Sequence, residues 1–202
     1  MLIDEAKLGF IHIPSTGGTS VEYALQNKYK NDRREINHQP QEKAIQIIQT
    51  VTHGEKELQR KHATYHELIE FCPDYKYYAL VRHPLKRIES VYRLLVHLKL
   101  VHTEFDKWIY RLIYGYKYGE PNAGLDEAPY LMDTSYGPLR QVEYIGKAEV
   151  HKLEEQTIWQ ALNIRPLKVF NLPNVLPIVW NKRSIKLIEK YYAVDYERFN
   201  YD

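Results

Sequence analysis

Apolar and polar positions alternate between short β-prone runs and longer helical stripes. Residues Leu8-Gly9-Phe10-Ile11-His12-Ile13 form the first such run, followed at once by the loop Pro14-Ser15-Thr16-Gly17-Gly18-Thr19-Ser20. Behind the loop, Val21, Ala24 and Leu25 stand three and four apart, the spacing of one helix face. The same order returns at Tyr77-Tyr78-Ala79-Leu80-Val81, then Arg82-His83-Pro84, then a helix on which Leu85, Ile88, Val91, Tyr92, Leu95 and Leu98 recur at helical spacing. Pro84 suits the first turn of that helix, where its missing N–H costs nothing. Residues 142–146 predict a third strand, 149–162 a helix, and Ile185, Leu187, Ile188 and Tyr191 a last amphipathic helix over 184–192. Strands alternating with helices predict an α/β fold, one domain over residues 1–202, with a central parallel β-sheet covered on both faces.

Two polar stretches, 27–60 and 114–138, read as excursions from that core. The first contains the helix-compatible Ala44, Ile45, Ile47, Ile48 and Val51; the second is punctuated by Gly115, Gly119, Pro121, Gly124, Pro129, Gly137 and Pro138. Leu172-Pro173-Asn174 reads as a loop. Lys and Arg total 28 against 26 Asp and Glu, and a formal charge of only +2 argues against a nucleic-acid partner, which calls for a strong basic excess. Hydrophobic residues at 44% lie far from the composition of disordered chains, so the chain folds. Cys72 is the single cysteine, which excludes an internal disulfide and a multi-cysteine metal site; it reads as a small core residue. Asp4 and Glu5 stand where a signal peptide would be basic, and Arg93, His97 and Lys99 interrupt the most apolar stretch, 91–101. The expectation is a soluble, cytoplasmic protein without a membrane span; its oligomeric state is left open.

The loop at 14–20 carries the first chemistry. A strand that ends in a glycine turn and opens a helix presents unpaired backbone N–H groups at the positive end of the helix dipole, which suits phosphate. Gly17 and Gly18 permit a tight turn and close approach of an anion, while Thr16, Thr19 and Ser20 add hydroxyls. The same residues equally serve an ordinary capped strand-to-helix turn. No Lys follows Gly18, so the loop is not that of a nucleoside triphosphatase, and a kinase-like reading also lacks a metal-holding Asp after a strand. Arg82 leaves the end of a strand, where open α/β sheets present ligands, and Ser90 lies two helical turns further on. A guanidinium fork and a hydroxyl suit a second phosphate; a structural ion pair and a packed serine are the plainer alternative.

Residues 10–20, Phe10-Ile11-His12-Ile13-Pro14-Ser15-Thr16-Gly17-Gly18-Thr19-Ser20, resemble the 5′-phosphosulfate loop of carbohydrate (heparan/chondroitin-type) sulfotransferases. These enzymes take their sulfuryl group from 3′-phosphoadenosine 5′-phosphosulfate (PAPS). Residues 80–92, with Arg82 and Ser90, resemble the family's 3′-phosphate motif; 144–149 and 192–201 resemble its late signature and closing segment. The resemblance implies a P-loop nucleotide-kinase-like fold and PAPS as co-substrate without a metal. It also implies donor binding by Ser15, Thr16, Gly17, Gly18, Thr19, Ser20, Arg82 and Ser90, and transfer to a hydroxyl of a glycan or small molecule. Two positions depart from the pattern: Ser15 stands where the family has Lys, and His83 where Asp is common. Loss of that Lys implies a substitute cation, such as Lys61, Arg87 or Arg140, or else a catalytically silent nucleotide-binding module.

Proton removal from the attacking hydroxyl calls for a base. The segment 61–68 resembles the stretch that holds the catalytic His in some heparan-type enzymes, which implies His62 as base, with Glu67 and His66 as fallbacks; a solvated residue before a helix capped by Thr64 is the alternative. His12 reads as packed. Trp108, Tyr110, Tyr114, Tyr116 and Tyr118, interleaved with Lys107, Arg111 and Lys117, suit either an acceptor cleft for sugars or a core helix running into a surface loop.

Overall fold

The computed structural model describes residues 1–29, 50–53, 56–59, 62–115, 117–118, 139–166 and 178–202. The elements in chain order are β1 (Leu2–Ile3), β2 (Leu8–Ile11), α1 (Gly18–Lys28), β3 (Thr50–His53), β4 (Lys56–Gln59), α2 (Tyr65–Ile69), β5 (Lys76–Val81) and α3 (Pro84–His97). There follow α4 (Phe105–Tyr110), continued by a π-helical turn over Arg111–Gly115, then α5 (Val142–Ile145), β6 (Glu149–Lys152), α6 (Ile158–Ala161), α7 (Lys182–Tyr191) and α8 (Ala193–Phe199). The helix-compatible positions 44–48, the glycine and proline stretch at 119–138, Tyr116, Lys61 and the loop 172–174 lie outside the described residues. The chain divides into two compact units, Met1–Arg82 with Gln141–Phe170, and His83–Arg140 with Asn171–Asp202.

The first unit is α/β. Its sheet has the order β1-β2-β5-β6, with β1 antiparallel to β2 and the other neighbours parallel. In the β2–β5 register Phe10 faces Tyr78, and Phe10, Leu8, Tyr78 and Leu80 meet Val21, Ala24 and Leu25 of α1 and Ile158, Trp159 and Leu162 around α6 in one apolar core. Alternate residues point the other way, where Tyr77 makes an edge contact with Tyr65 of α2 and its hydroxyl donates to the carbonyls of Leu68 and Cys72, both at 2.9 Å. Burial raises the Tyr77 phenol above its usual range, so it stays a donor. Gly9 is required beneath that ring, since a Cβ there would lie 2.3 Å from it. Cys72 is buried in this layer, as its sequence context predicts.

The predictions for 142–162 are overturned. Val142–Ile145 is a helical turn and Glu149–Lys152 is the strand, while the helix expected over 149–162 is kept only at its end, as α6 (Ile158–Ala161). Val, Tyr and Ile are β-prone residues, but Gln141, Tyr144 and Ile145 are buried at helical spacing, and Gly146 (φ +48°) ends the turn in a conformation other residues resist. The polar run Glu149-Val150-His151-Lys152 becomes a strand because β5 offers it an unpaired edge, and polar residues suit the outside strand of a sheet. Glu149 is tied to Lys76 at 2.7 Å; hydrogen bonding to that ammonium holds the carboxyl below its ordinary range.

The second unit is helical. Ile88, Val91, Tyr92 and Leu95 of α3 pack with Phe105, Trp108 and Ile109 of α4, Leu112 and Ile113 of the π-helical turn, and Ile188 of α7. Pro84 begins α3 as predicted, and His83 shapes the entry, its Nδ1 accepting from the Leu85 N–H at 3.3 Å. α7 opens on Asn181, whose Oδ1 accepts from the Ser184 N–H at 2.8 Å. Burial pushes the Tyr196 hydroxyl of α8 up to about 12.

Candidate functional site

Parallel pairing of β2 with β5 brings the carboxyl ends of both strands to one edge of the sheet, where the two sequence motifs begin. The Pro14–Gly17 turn follows β2, and Arg82 follows β5. Thr16 is fully buried and its Oγ1 donates to the Ile13 carbonyl at 2.9 Å, so this hydroxyl holds the turn. Ser15 has φ +62° and Gly17 φ +91°; two left-handed residues in one turn fold the chain sharply, and only Gly17 takes that conformation without steric cost. No side chain caps α1 at Gly17; the Ser20 N–H donates to the Gly17 carbonyl at 3.1 Å, and the N–H groups of Gly18 and Thr19 open an eleven-residue helix, an end that favours an acceptor. Thr19 is partly exposed and Ser20 is buried on the first turn.

Gly18 is glycine for a reason the sequence does not suggest. A Cβ there would lie 2.6 Å from Cδ2 and 2.9 Å from Nε2 of His12, so Gly18 makes room for a buried imidazole. Any larger residue at 18 would therefore displace His12 as well as narrow the approach of an anion.

The Arg82 guanidinium reaches the loop, with Nη1 donating to the Ser15 carbonyl at 3.2 Å. Its backbone is gripped by a residue the sequence reading missed. Gln141, fully buried, accepts from the Arg82 N–H through Oε1 and donates to the Arg82 carbonyl through Nε2, each at 2.8 Å. A side-chain amide that satisfies both groups of one peptide position fixes where that residue leaves the strand. We expect Gln141→Leu to cost about 1–3 kcal/mol, because two part-buried backbone groups lose their partners. A shift of the urea midpoint measures it; an unchanged midpoint would show the clamp to be dispensable.

Ser90 is half-buried on α3, in the second unit. Of the substitute cations considered, Lys61 lies outside the described residues. Arg87 is buried and donates to the Leu139 carbonyl at 2.8 Å, and Arg140 donates to the Tyr191 carbonyl at 3.2 Å while lying over the Tyr191 ring. Both are engaged within the helical unit, whereas Arg82 touches the loop.

His62 is buried, 5% exposed, with its ring 5.1 Å from that of His12 at 81°. It is thus not a solvated loop residue. The fallbacks sit elsewhere. Glu67 closes a capping box with Thr64, its Oε2 accepting from the Thr64 N–H at 2.7 Å and hydroxyl at 2.9 Å, and His66 is exposed against Tyr65. His12 is packed as expected, and its partner is a second residue the sequence reading missed: Glu22, 1% exposed, places Oε2 2.8 Å from His12 Nδ1. Glu22 could have been noticed, since it falls on the same helix stripe as Gly18, Val21 and Leu25.

Trp108 is fully buried, Tyr110 stacks on Tyr114, and Arg183 lies 4.7 Å from the Tyr110 ring centre. This run is a core helix that emerges at Tyr114 and Tyr118, both exposed. Among the described residues no group of three His, Cys, Asp or Glu is placed to hold a metal ion, and no helix is long and apolar enough to cross a membrane. Compared with protein-family models, curated proteins and solved structures, the chain matches none.

Proposed function

We propose that the chain is a PAPS-dependent sulfotransferase with a P-loop nucleotide-kinase-like fold, acting on a hydroxyl of a glycan or small molecule. The observation that carries the reading is the Arg82–Ser15 contact, which joins the two phosphate motifs at the carboxyl edge of a parallel sheet. In this reading the start of α1 and the turn at 15–18 take the 5′-phosphosulfate, and Arg82 takes the 3′-phosphate. The acceptor oxygen attacks sulfur in line, the bond from sulfur to the bridging oxygen breaks, and its electron pair leaves on the 5′-phosphate. His62 takes the hydroxyl proton. Positioning and charge neutralisation do most of the work, as in phosphoryl transfer.

One observation favours a second reading. Ser15 replaces the Lys that the resemblance leads one to expect, and loss of one preorganised donor costs a transfer site about 2.7–4 kcal/mol of barrier. A nucleotide-binding module without turnover fits that gap. Sulfuryl transfer from radiolabelled donor to a panel of glycans and small alcohols separates the two, with Ser15→Lys run beside the wild type. We expect transfer by the wild type and a faster rate in Ser15→Lys, whose ammonium would sit on the leaving phosphate. Silence in both, with donor still bound, would establish the binding module.

A further inference from the structure

We propose that Glu22 and His12 are positioning residues for His62, so that a buried series Glu22–His12–His62 runs from α1, past the end of β2, to the turn before α2. The proposal rests on the reading of His62 as the base.

Glu22, His12 and His62 are 1%, 5% and 5% exposed, and Glu22 stands on the apolar stripe of α1 beside Val21 and Leu25. A buried ion pair repays the desolvation of its charges poorly, and an apolar pair of similar volume packs as well or better. Packing alone therefore does not account for a carboxylate and an imidazole at these two positions. Glu22 Oε2 and His12 Nδ1 lie 2.8 Å apart, an ion-pair distance at angles outside those of a hydrogen bond, so the carboxylate faces the Nδ1 edge of the ring.

One face of the His12 ring is hemmed in too. Cδ2 and Nε2 lie against Gly18, so closely that no Cβ fits between them. The ring is thus gripped by Glu22 and by the first residue of α1, and its plane is set by the same loop that is proposed to hold the phosphosulfate. His62 meets this immobile ring in an edge contact at 5.1 Å. The orientation of the base is thereby linked to the loop that orients the donor. Histidines that act on protons or metals commonly have their second nitrogen or ring plane set by a further group.

Long-range proton–nitrogen NMR of the histidine side chains tests this on the full chain without ligand. Glu22→Leu removes the carboxylate, and Glu22→Gln keeps its shape while removing its charge, should the first variant fail to fold. We expect the variant to shift the nitrogen resonances of both His12 and His62. In the transfer assay we expect kcat to fall by about tenfold, a share of the 10²–10⁴ that a positioned base supplies, with KM for the donor unchanged. A folded variant whose His62 resonances coincide with those of the wild type would overturn the proposal. Should the wild type transfer no sulfuryl group, the enzyme reading falls, while the resonances still decide whether Glu22 acts on His62.

Discussion

Replacing His62 with alanine is expected to cut sulfuryl transfer by about 10²–10⁴ and to leave affinity for 3′-phosphoadenosine 5′-phosphate nearly unchanged. A general base acts on the acceptor proton in the transition state and makes no contact with the departing nucleotide, so rate and binding separate. His62 is the base named by the proposed function. It is buried with its ring 5.1 Å from that of His12, whereas Glu67 is occupied in capping α2 and His66 is exposed. Single-turnover rates with the donor, beside calorimetry with the product nucleotide, check both halves. A folded variant with wild-type turnover would remove His62 from the chemistry. Equal losses of rate and nucleotide affinity would mark it as a binding residue.

Trp108→Ala is expected to destabilise the helical unit by about 3–5 kcal/mol, the usual cost of emptying a large aromatic site in a core. Trp108 is fully buried, with ring centres 5.2 Å from Tyr92 and 6.1 Å from Phe105, and its neighbours Ile109 and Leu112 belong to the same cluster. Urea unfolding followed by far-ultraviolet circular dichroism measures the loss. The result also decides between the two meanings of the aromatic run. A core residue lowers the midpoint and leaves KM for the acceptor alone once the protein is folded. A change below about 1 kcal/mol with a raised acceptor KM would return Trp108 to a sugar cleft.

Elements whose burial pattern and residue preference agree were legible in the sequence. β2, β5 and α3 lie where their apolar positions put them, and Pro14 to Gly17 turns where the glycines allow. Residues 142–152 were misread because preference and burial conflict there: β-prone side chains form a helical turn around buried Gln141, and a polar run forms the outer strand that β5 needs. Tertiary context decided both cases. In the candidate site, Arg82 and the loop could be read as a pair because parallel strands deliver their carboxyl ends together. The Gln141 clamp could not, since it joins positions 59 apart and nothing local marks a glutamine as buried. Glu22 was legible in principle, as a charge on an apolar stripe, and its pairing with His12 became visible only when strand and helix were set side by side.

In the proposed function Arg82 and the 15–20 turn form a site for a nucleotide phosphorylated at both the 3′ and 5′ positions. Titration calorimetry with 3′-phosphoadenosine 5′-phosphate and with 5′-AMP, on the wild type and on Arg82→Ala, tests it most directly. We expect the wild type to prefer the doubly phosphorylated nucleotide. Arg82→Ala should erase most of that preference, since a lost hydrogen bond to a charged group is worth about 1.5–3 kcal/mol. Equal affinity of the wild type for the two nucleotides, or a preference untouched by Arg82→Ala, would contradict it.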